Sequence, residues 1–300
     1  PLEEGVTLEA IAAQTPGFVG ADLANLCNEA ALFASRRDAD KVSARDFQDA
    51  IERVIAGTEK KGKVLTPNDR RRVAVHESGH ALVGHLTRGA DPVQKISIVP
   101  RGQSALGYTL QSPEEEQYLK TEEELQGRLR VLLGGRAAEA VVLGNVSTGA
   151  SDDLEKANQL AKQMIRVFGF GKEELFNLSM VTRNGPGFLG DGPQFEEAPP
   201  EFAERLSRAQ RQLIADAYQA AVDLINENIE KLEALTDALL EHEKVDASDL
   251  KRLWGKRIDA KPSIIPPAPS EDTPGSAEHS SVADTSALAP EEQEHDSSGD

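Results

Sequence analysis

Two histidines four residues apart carry the chemistry this sequence can do. The stretch Val75-His76-Glu77-Ser78-Gly79-His80-Ala81 reads H-E-x-x-H within a segment of helical periodicity. Residues four apart lie one turn apart on the same helix face. His76 and His80 can therefore aim two imidazole nitrogens at one point, as a zinc ion requires. Glu77 is rotated by about 100° from His76 around the axis. That is too far for an easy third ligand, but close enough to reach a water held by the metal. The competing explanation is a pair of structural histidines on a core-facing helix. Against it, the chain has six histidines in all, and His76, His80 and His85 fall within ten residues of one another. Polar rings facing a core without partners would also cost on the order of 2–7 kcal/mol each.

A catalytic zinc takes three protein ligands and keeps one position open. His85 is an unsuitable third ligand, because nine residues of helix put it on roughly the opposite face from His76. The elongated H-E-x-x-H-x-x-G-x-x-H pattern fails as well, since it would need a glycine at Val83 and a histidine at Leu86. His242 lies in a charged helix end, and His279 and His295 lie in a polar C-terminal stretch. The remaining ligand should be a carboxylate, with Asp153, Asp152 and Glu139 as candidates. Asp153 shares a helix face with Ala157, Leu160 and Met164 and follows the small residues Ser147-Thr148-Gly149-Ala150-Ser151. It ranks first. Glu139, on a fairly apolar helix, is either a rival ligand or a partner standing behind one.

The elements that must position these residues are mostly helices. Thr7-Leu8-Glu9-Ala10-Ile11-Ala12 starts one, stopped by Thr15-Pro16-Gly17. Gly20-Ala21-Asp22 opens a second, with Leu23, Leu26, Cys27, Ala30, Ala31 and Phe33 as a broad apolar stripe. Ser43 caps a third, through Phe47, Ala50, Ile51 and Val54. The polar, glycine-flanked stretch Gly57–Lys63 reads as a linker. Thr66-Pro67-Asn68-Asp69 is a strong helix start for the segment bearing the two histidines. Val93–Pro100 and Ala105–Gln111 alternate as β-strands, turning at Arg101-Gly102-Gln103, and are the only convincing β structure. Gly107 weakens the second strand, which suits an edge or a place where another backbone or side chain comes close. Thr121 caps a helix through Leu125, Leu129, Leu132 and Leu133, and Gly134-Gly135 permit close packing against a neighbour. Another helix carries Asp153, Leu154, Ala157, Leu160 and Met164. Residues 183–200 read as a long loop, followed by helices at Phe202–Glu230, Leu232–His242 and Ala247–Trp254. From 257 onward the chain is polar and acidic, and reads as disordered.

The balance of charge excludes several classes. A formal net charge of −18 over 300 residues argues against binding nucleic acid or docking on anionic lipid. The single cysteine, Cys27, allows no intrachain disulfide and reads as a small buried core residue. No stretch approaches the ~20 apolar residues of a membrane span. The chain opens with Pro1, so a piece of a longer polypeptide or a processed product is expected. No strand followed by G-x-x-x-x-G-K-[ST] occurs, so the first helical unit should not bind and hydrolyse nucleotide by itself.

Three motifs in order carry a resemblance: Gly17-Phe18-Val19-Gly20-Ala21-Asp22-Leu23-Ala24-Asn25-Leu26, His76 to His80, and Ser147-Thr148-Gly149-Ala150-Ser151-Asp152-Asp153-Leu154. With Asn28-Glu29-Ala30-Ala31-Leu32 and Gly134-Gly135-Arg136-Ala137-Ala138-Glu139, they resemble the FtsH-type family of ATP-dependent, membrane-anchored AAA zinc metalloproteases. The resemblance is specific over residues 1–180 and looser to about 255. Val75 and Ser78 replace the family's usual aromatic residue and alanine.

The resemblance implies a mainly α chain: a helical AAA lid at 1–57, a linker at 58–63, and a mostly helical metallopeptidase domain with a small β-sheet at 64–256. An acidic tail at 257–300 follows. It implies that His76, His80 and Asp153 hold one zinc per chain, that Glu77 is the catalytic glutamate, and that Gly20, Ala21 and Asp22 abut nucleotide. ATP and Mg2+ would bind only in an ATPase core that this chain lacks. Protein substrates and a homohexamer are implied, without nucleic acid. Membrane contact would come only through segments N-terminal to this chain, at the cytoplasmic face of a bacterial inner membrane, while the chain itself is soluble. Gly107, Tyr108 and Thr109 are candidates for an edge along which substrate lies extended. The rival reading is a non-catalytic, metal-stabilised oligomerisation module.

Overall fold

The computed structural model describes residues 1–59, 65–101, 106–111, 119–171, 175, 177–182, 194–195 and 199–255. The chain is mainly α. An N-terminal unit holds α1 (Leu8–Ala13), α2 (Gly20–Arg36) and α3 (Ala44–Ala56). Its core is Leu26, Ala30, Phe47, Ala50 and Ile51. Ser43 caps α3 by accepting from the Asp46 backbone N–H, and the Asp46 carboxylate accepts from the Ser43 N–H in return. Residues 60–64, most of the expected linker, and the expected tail lie outside the described residues.

The rest is built around α4 (Pro67–Leu86). Thr66 accepts from the Asp69 N–H and Pro67 takes a first-turn position, so the helix starts where the sequence signals it. Every residue from Val73 to His85 is buried. A helix buried all round should be apolar all round; this one carries His76, Glu77, Ser78, His80 and His85 inside, so its polar groups must find partners. It is packed by α5 (Glu122–Leu143), α7 (Pro200–Glu227) and α8 (Ile229–His242). Two apolar clusters hold it there. One joins Val75, Leu82 and Val83 to Val131, Ala138, Ile225 and Leu232. The other joins Val73, Ala74 and Ala81 to Ile96, Leu235, Leu239 and Val245. The contact with α5 is tight because Gly79 faces Gly134: a Cβ on Gly79 would lie 2.4 Å from the Gly134 carbonyl oxygen. A turn at Thr148–Ala150 then leads into α6 (Ser151–Arg166), which packs on α5 and α7 through Ala157, Ala161, Met164, Leu129, Leu133 and Ala217.

The sheet is antiparallel, with β1 (Val93–Ser97) flanked by β2 (Tyr108–Gln111) on one side and Lys244–Asp246 on the other. Ile96 pairs with Thr109 and with Val245. Three expectations are corrected here. The 93–111 hairpin is not the only β structure: Lys244–Asp246, here β5, joins it, and Val181–Thr182 (β3) pairs with Gln194–Phe195 (β4) inside the stretch read partly as loop. Three- and two-residue strands are too short to show alternation, and β5 is fixed by its ladder and by Val245 entering the core. Asp246 caps α9 (Ala247–Trp254). Cys27 is exposed rather than buried. The buried face of α2 is Leu26, Ala30 and Ala34; Leu23, Cys27 and Ala31 form the next i, i+4 row, which the small unit leaves uncovered. The long C-terminal helix also breaks at Asn228, before Glu230. Asn228 folds its amide back onto the Leu224 carbonyl at 3.0 Å, an alternative to continuing the helix.

Candidate metal centre

Three ligand-type atoms converge where α4, α5 and α6 meet. His76 Nε2 and His80 Nε2 are 3.1 Å apart. The Asp153 Oδ2 atom lies 3.3 Å from the first and 3.2 Å from the second. Among the described residues these three alone form a cluster able to hold a metal ion. α4 supplies the histidines one turn apart. α6 supplies Asp153 from its first turn, which the small residues before it bring close.

The far sides of both rings are held by α5. His80 Nδ1 lies 2.7 Å from the Val131 carbonyl, and His76 Nδ1 lies 2.8 Å from Glu139 Oε1. A carbonyl only accepts, so His80 Nδ1 carries the proton and Nε2 presents a lone pair. Glu139 does the same for His76. Between these two contacts lies Gly135, and the spacing Val131, Gly135, Glu139 is one helix face. A Cβ on Gly135 would stand 2.6 Å from both Nε2 atoms, so glycine alone leaves room for the rings and for what they hold.

Glu139 is itself fixed. Its Oε2 accepts from Arg72 Nη1 and from the Ser147 N–H, both at 2.8 Å, and Oε1 also accepts from Ser147 Oγ at 3.0 Å. Burial pushes its pKa up, but the bonds from His76, Arg72 and Ser147 outweigh that and hold it at about 2. Burial likewise opposes ionisation of Asp153, and the two histidines overcome it, holding the carboxyl well below the usual range. Without a metal, burial disfavours charge on His76, yet hydrogen bonds to Asp153 and Glu139 raise it to about 10. In that state a proton fills the place of a cation.

Glu77 is buried beside the cluster, and burial raises its carboxyl above the ordinary value while the fields of His80 and His76 and a bond from Thr109 pull it back. Thr109 Oγ1 donates to Glu77 Oε2 at 2.7 Å. Gly107 lies against the same carboxylate, a Cβ there falling 2.8 Å from Oε1. The close approach expected at Gly107 is thus to Glu77. Tyr108 turns the other way, towards Glu52.

The structure brings His76, Glu77, His80 and Asp153 together. Glu139 stands behind His76 rather than among the converging atoms. Asp152 is exposed and pairs with Lys156 at 2.6 Å. His85 packs its ring 5.1 Å from that of Trp254. Gly20, Ala21 and Asp22 open α2 in the N-terminal unit, where Asp22 accepts from the Val19 N–H. Arg72 and Ser147 escaped the sequence reading, although Arg72 sits one turn before His76 on the same face. The Val131 carbonyl leaves no trace in a sequence at all.

The model of peptidase family M41 matches residues 63–253. The chain belongs to peptidase family M41. An AAA+ lid domain model matches residues 5–49, so the peptidase part follows a lid. The chain is 42% identical over 260 residues to the ATP-dependent zinc metalloprotease FtsH of Thermotoga maritima, covering 86% of this chain and 42% of that protein. It is 45% identical over 256 residues to the ATP-dependent zinc metalloprotease FtsH of Chlorobium luteolum, covering 85% and 36%. To ATP-dependent zinc metalloprotease FtsH 4 of Synechocystis it is 43% identical over 258 residues, covering 85% and 41%. The chain spans about two fifths of the length of these relatives. No helix among the described residues is long and apolar enough to cross a membrane.

Proposed function

We propose that this chain is the zinc endopeptidase part of an ATP-dependent protease, with His76, His80 and Asp153 as ligands and Glu77 as general base. The observation that carries this reading is the pair of held imidazoles turning both Nε2 atoms towards one carboxylate oxygen. The site fits the ion. Atoms about 2.0–2.1 Å from a tetrahedral zinc are ~3.3 Å apart, and these are 3.1–3.3 Å apart. Gly135 leaves the space, and two neutral imidazoles with one carboxylate are a zinc-type donor set.

When bound, zinc lowers the pKa of its water towards about 7 and polarises a carbonyl. The chain's residues do the rest. Thr109 occupies Glu77 Oε2, which leaves Oε1 to take the proton of the attacking water and pass it to the leaving amine. Glu139 keeps His76 oriented with a proton on Nδ1, which directs Nε2 to the ion, and the Val131 carbonyl does this for His80. Among the described residues β2 has a ladder partner on one side, so an extended substrate segment can add along its other edge near Gly107, Tyr108 and Thr109.

The layout we infer is a lid at 1–57, a linker at 58–63, the peptidase at 64–256 and a tail at 257–300. Gly20, Ala21 and Asp22 would face nucleotide held by an ATPase core outside this chain, where ATP and Mg2+ bind. The longer protein would degrade misfolded or regulatory proteins as a homohexamer on the cytoplasmic face of a bacterial inner membrane, anchored by segments outside this chain. An oligomerisation module would have no use for a buried Glu77 beside the metal, and that residue provides the test. Glu77→Gln should keep stoichiometric zinc and the wild-type melting profile, while cleavage of casein or a short peptide falls by about 10²–10⁴. Cleavage at the wild-type rate would refute the assignment.

A further inference from the structure

Glu52, on α3 of the lid, has a role that the zinc site does not account for. Its side chain is only 3% exposed, and a buried carboxylate needs compensation. Among the described residues, its compensation comes from the peptidase sheet and from Arg101, just after β1. Lys95 of β1 pairs with Oε1, while Arg101 Nη2 and the Tyr108 hydroxyl of β2 each donate to Oε2 at 3.0 Å. The Arg101 guanidinium also lies over the Tyr108 ring, 5.1 Å from its centre. Glu59, just after α3, adds a second acceptor, taking bonds from Arg101 at 2.8 Å and from Lys244 of β5 at 2.7 Å. Each of the three strands thus sends one donor to the lid segment.

β2 lies between Glu52 and Glu77. Successive residues of a strand point to opposite faces. Tyr108 points to Glu52, so Gly107 and Thr109 point to Glu77. Thr109 holds Glu77 Oε2 at 2.7 Å, and the backbone at Gly107 covers the same carboxylate. β2 is an edge strand, hydrogen-bonded along one side to β1. On the face turned away from Glu77, the hydroxyl of Tyr108 ties it to Glu52.

We propose that Glu52 is a positioning residue: through Tyr108 it holds β2 against Glu77, so that the seating of the lid on the sheet sets the placement of the catalytic carboxylate. The proposal rests on the reading of Glu77 as the base. It gives the lid a direct mechanical route to the peptidase site, two residues long.

The test uses the zinc-loaded full chain carrying Tyr108→Phe, which keeps the ring over Arg101 and removes only the hydroxyl. Glu52→Gln, which keeps an acceptor for Tyr108, and Thr109→Val complete the set. Amide exchange over 107–111 should speed up about tenfold in Tyr108→Phe, with α4 and α5 unchanged. For a short peptide, kcat should fall about tenfold at unchanged zinc content, with KM within about twofold, because small misplacements of a catalytic group cost that much or more. Glu52→Gln should fall between wild type and Tyr108→Phe. Adding Tyr108→Phe to Thr109→Val should cost little further, since both cut the same link. Wild-type exchange in Tyr108→Phe overturns the proposal, as does faster exchange with unchanged kcat, or effects of the two variants that simply multiply. Glu77→Gln run in parallel separates the readings. If it cleaves at the wild-type rate, the base assignment fails and takes the catalytic half of the proposal with it. If it is inactive while Tyr108→Phe is indistinguishable from wild type, the proposal alone fails.

Discussion

Gly135→Ala is the smallest change that should empty the metal site. Two effects of one methyl group compete. In a helix interior, alanine is favoured over glycine by about 1 kcal/mol, and Gly135 lies well inside α5. Against this, the new Cβ would lie 2.6 Å from His76 Nε2, 2.6 Å from His80 Nε2 and 2.7 Å from His76 Cδ2. Ordinary contacts need ~3.5 Å or more, so the rings or the helix must move by almost an ångström. The rings cannot swing away without losing Glu139 and Val131, which lie on the same helix as the intruding methyl. α5 cannot retreat without opening the Gly79–Gly134 contact. Overpacking of this kind costs about 1–3 kcal/mol, so net stability should fall by ~0–2 kcal/mol while zinc affinity falls about 10–100-fold, as when a ligand's support is lost. Competition with a chromogenic chelator measures the affinity, and thermal melts of metal-free and loaded protein separate the two terms. Gly20→Ala, where a Cβ meets nothing within 4 Å, is the control. Wild-type zinc affinity in Gly135→Ala would refute the ligand geometry, because no three-ligand site at these atoms can ignore that methyl.

Other expected outcomes follow from the same contacts. Asp153→Ala should lose zinc under dialysis, whereas Glu139→Gln should keep it with about 10–100-fold weaker affinity; equal loss in both would make Glu139 a ligand. The metal-free chain should show a sign-specific pH dependence. His76 is raised from 6.5 to about 10 in the fold, so its contribution is complete below pH 6.5 and is lost as pH rises towards 10. Glu139 and Asp153 are lowered from 4.5 and 3.8, so theirs is present above those values and lost as pH falls. Melts of chelated protein should therefore peak between about pH 4.5 and 6.5, and a flat profile from pH 6.5 to 10 would contradict the cluster. Leu239→Ala, at a fully buried position where α8 meets α4 and β1, should cost about 2–5 kcal/mol in a denaturant titration without changing the zinc site.

Much of this fold was legible because its signals are local. Thr66-Pro67 and Ser43 start helices where they should, and the caps are present as hydrogen bonds. The elements that were misread depend on distant partners. β5 is three residues long and becomes a strand only because β1 lies beside it. Cys27 lies in a run that reads as core, yet α2 has too few neighbours to cover a second apolar row. Burial is set by how many helices surround a face, and a sequence states only how wide the face is.

The same distinction runs through the site. His76, Glu77 and His80 are a spacing, and Asp153 is a face, so both could be read. Glu139 could be named but not placed, because ligand and support differ by the direction of one carboxylate. What decides it is the i, i+4 row of α5. Val131 offers a carbonyl, Gly135 offers space and Glu139 offers an anion, so one helix face sets both ring orientations and the volume between them. Only Glu139 resembles a ligand, and the other two act without a side chain. The H-E-x-x-H helix is therefore half of a metal site; the other half is the face of α5 that Gly79 and Gly134 allow to come close enough.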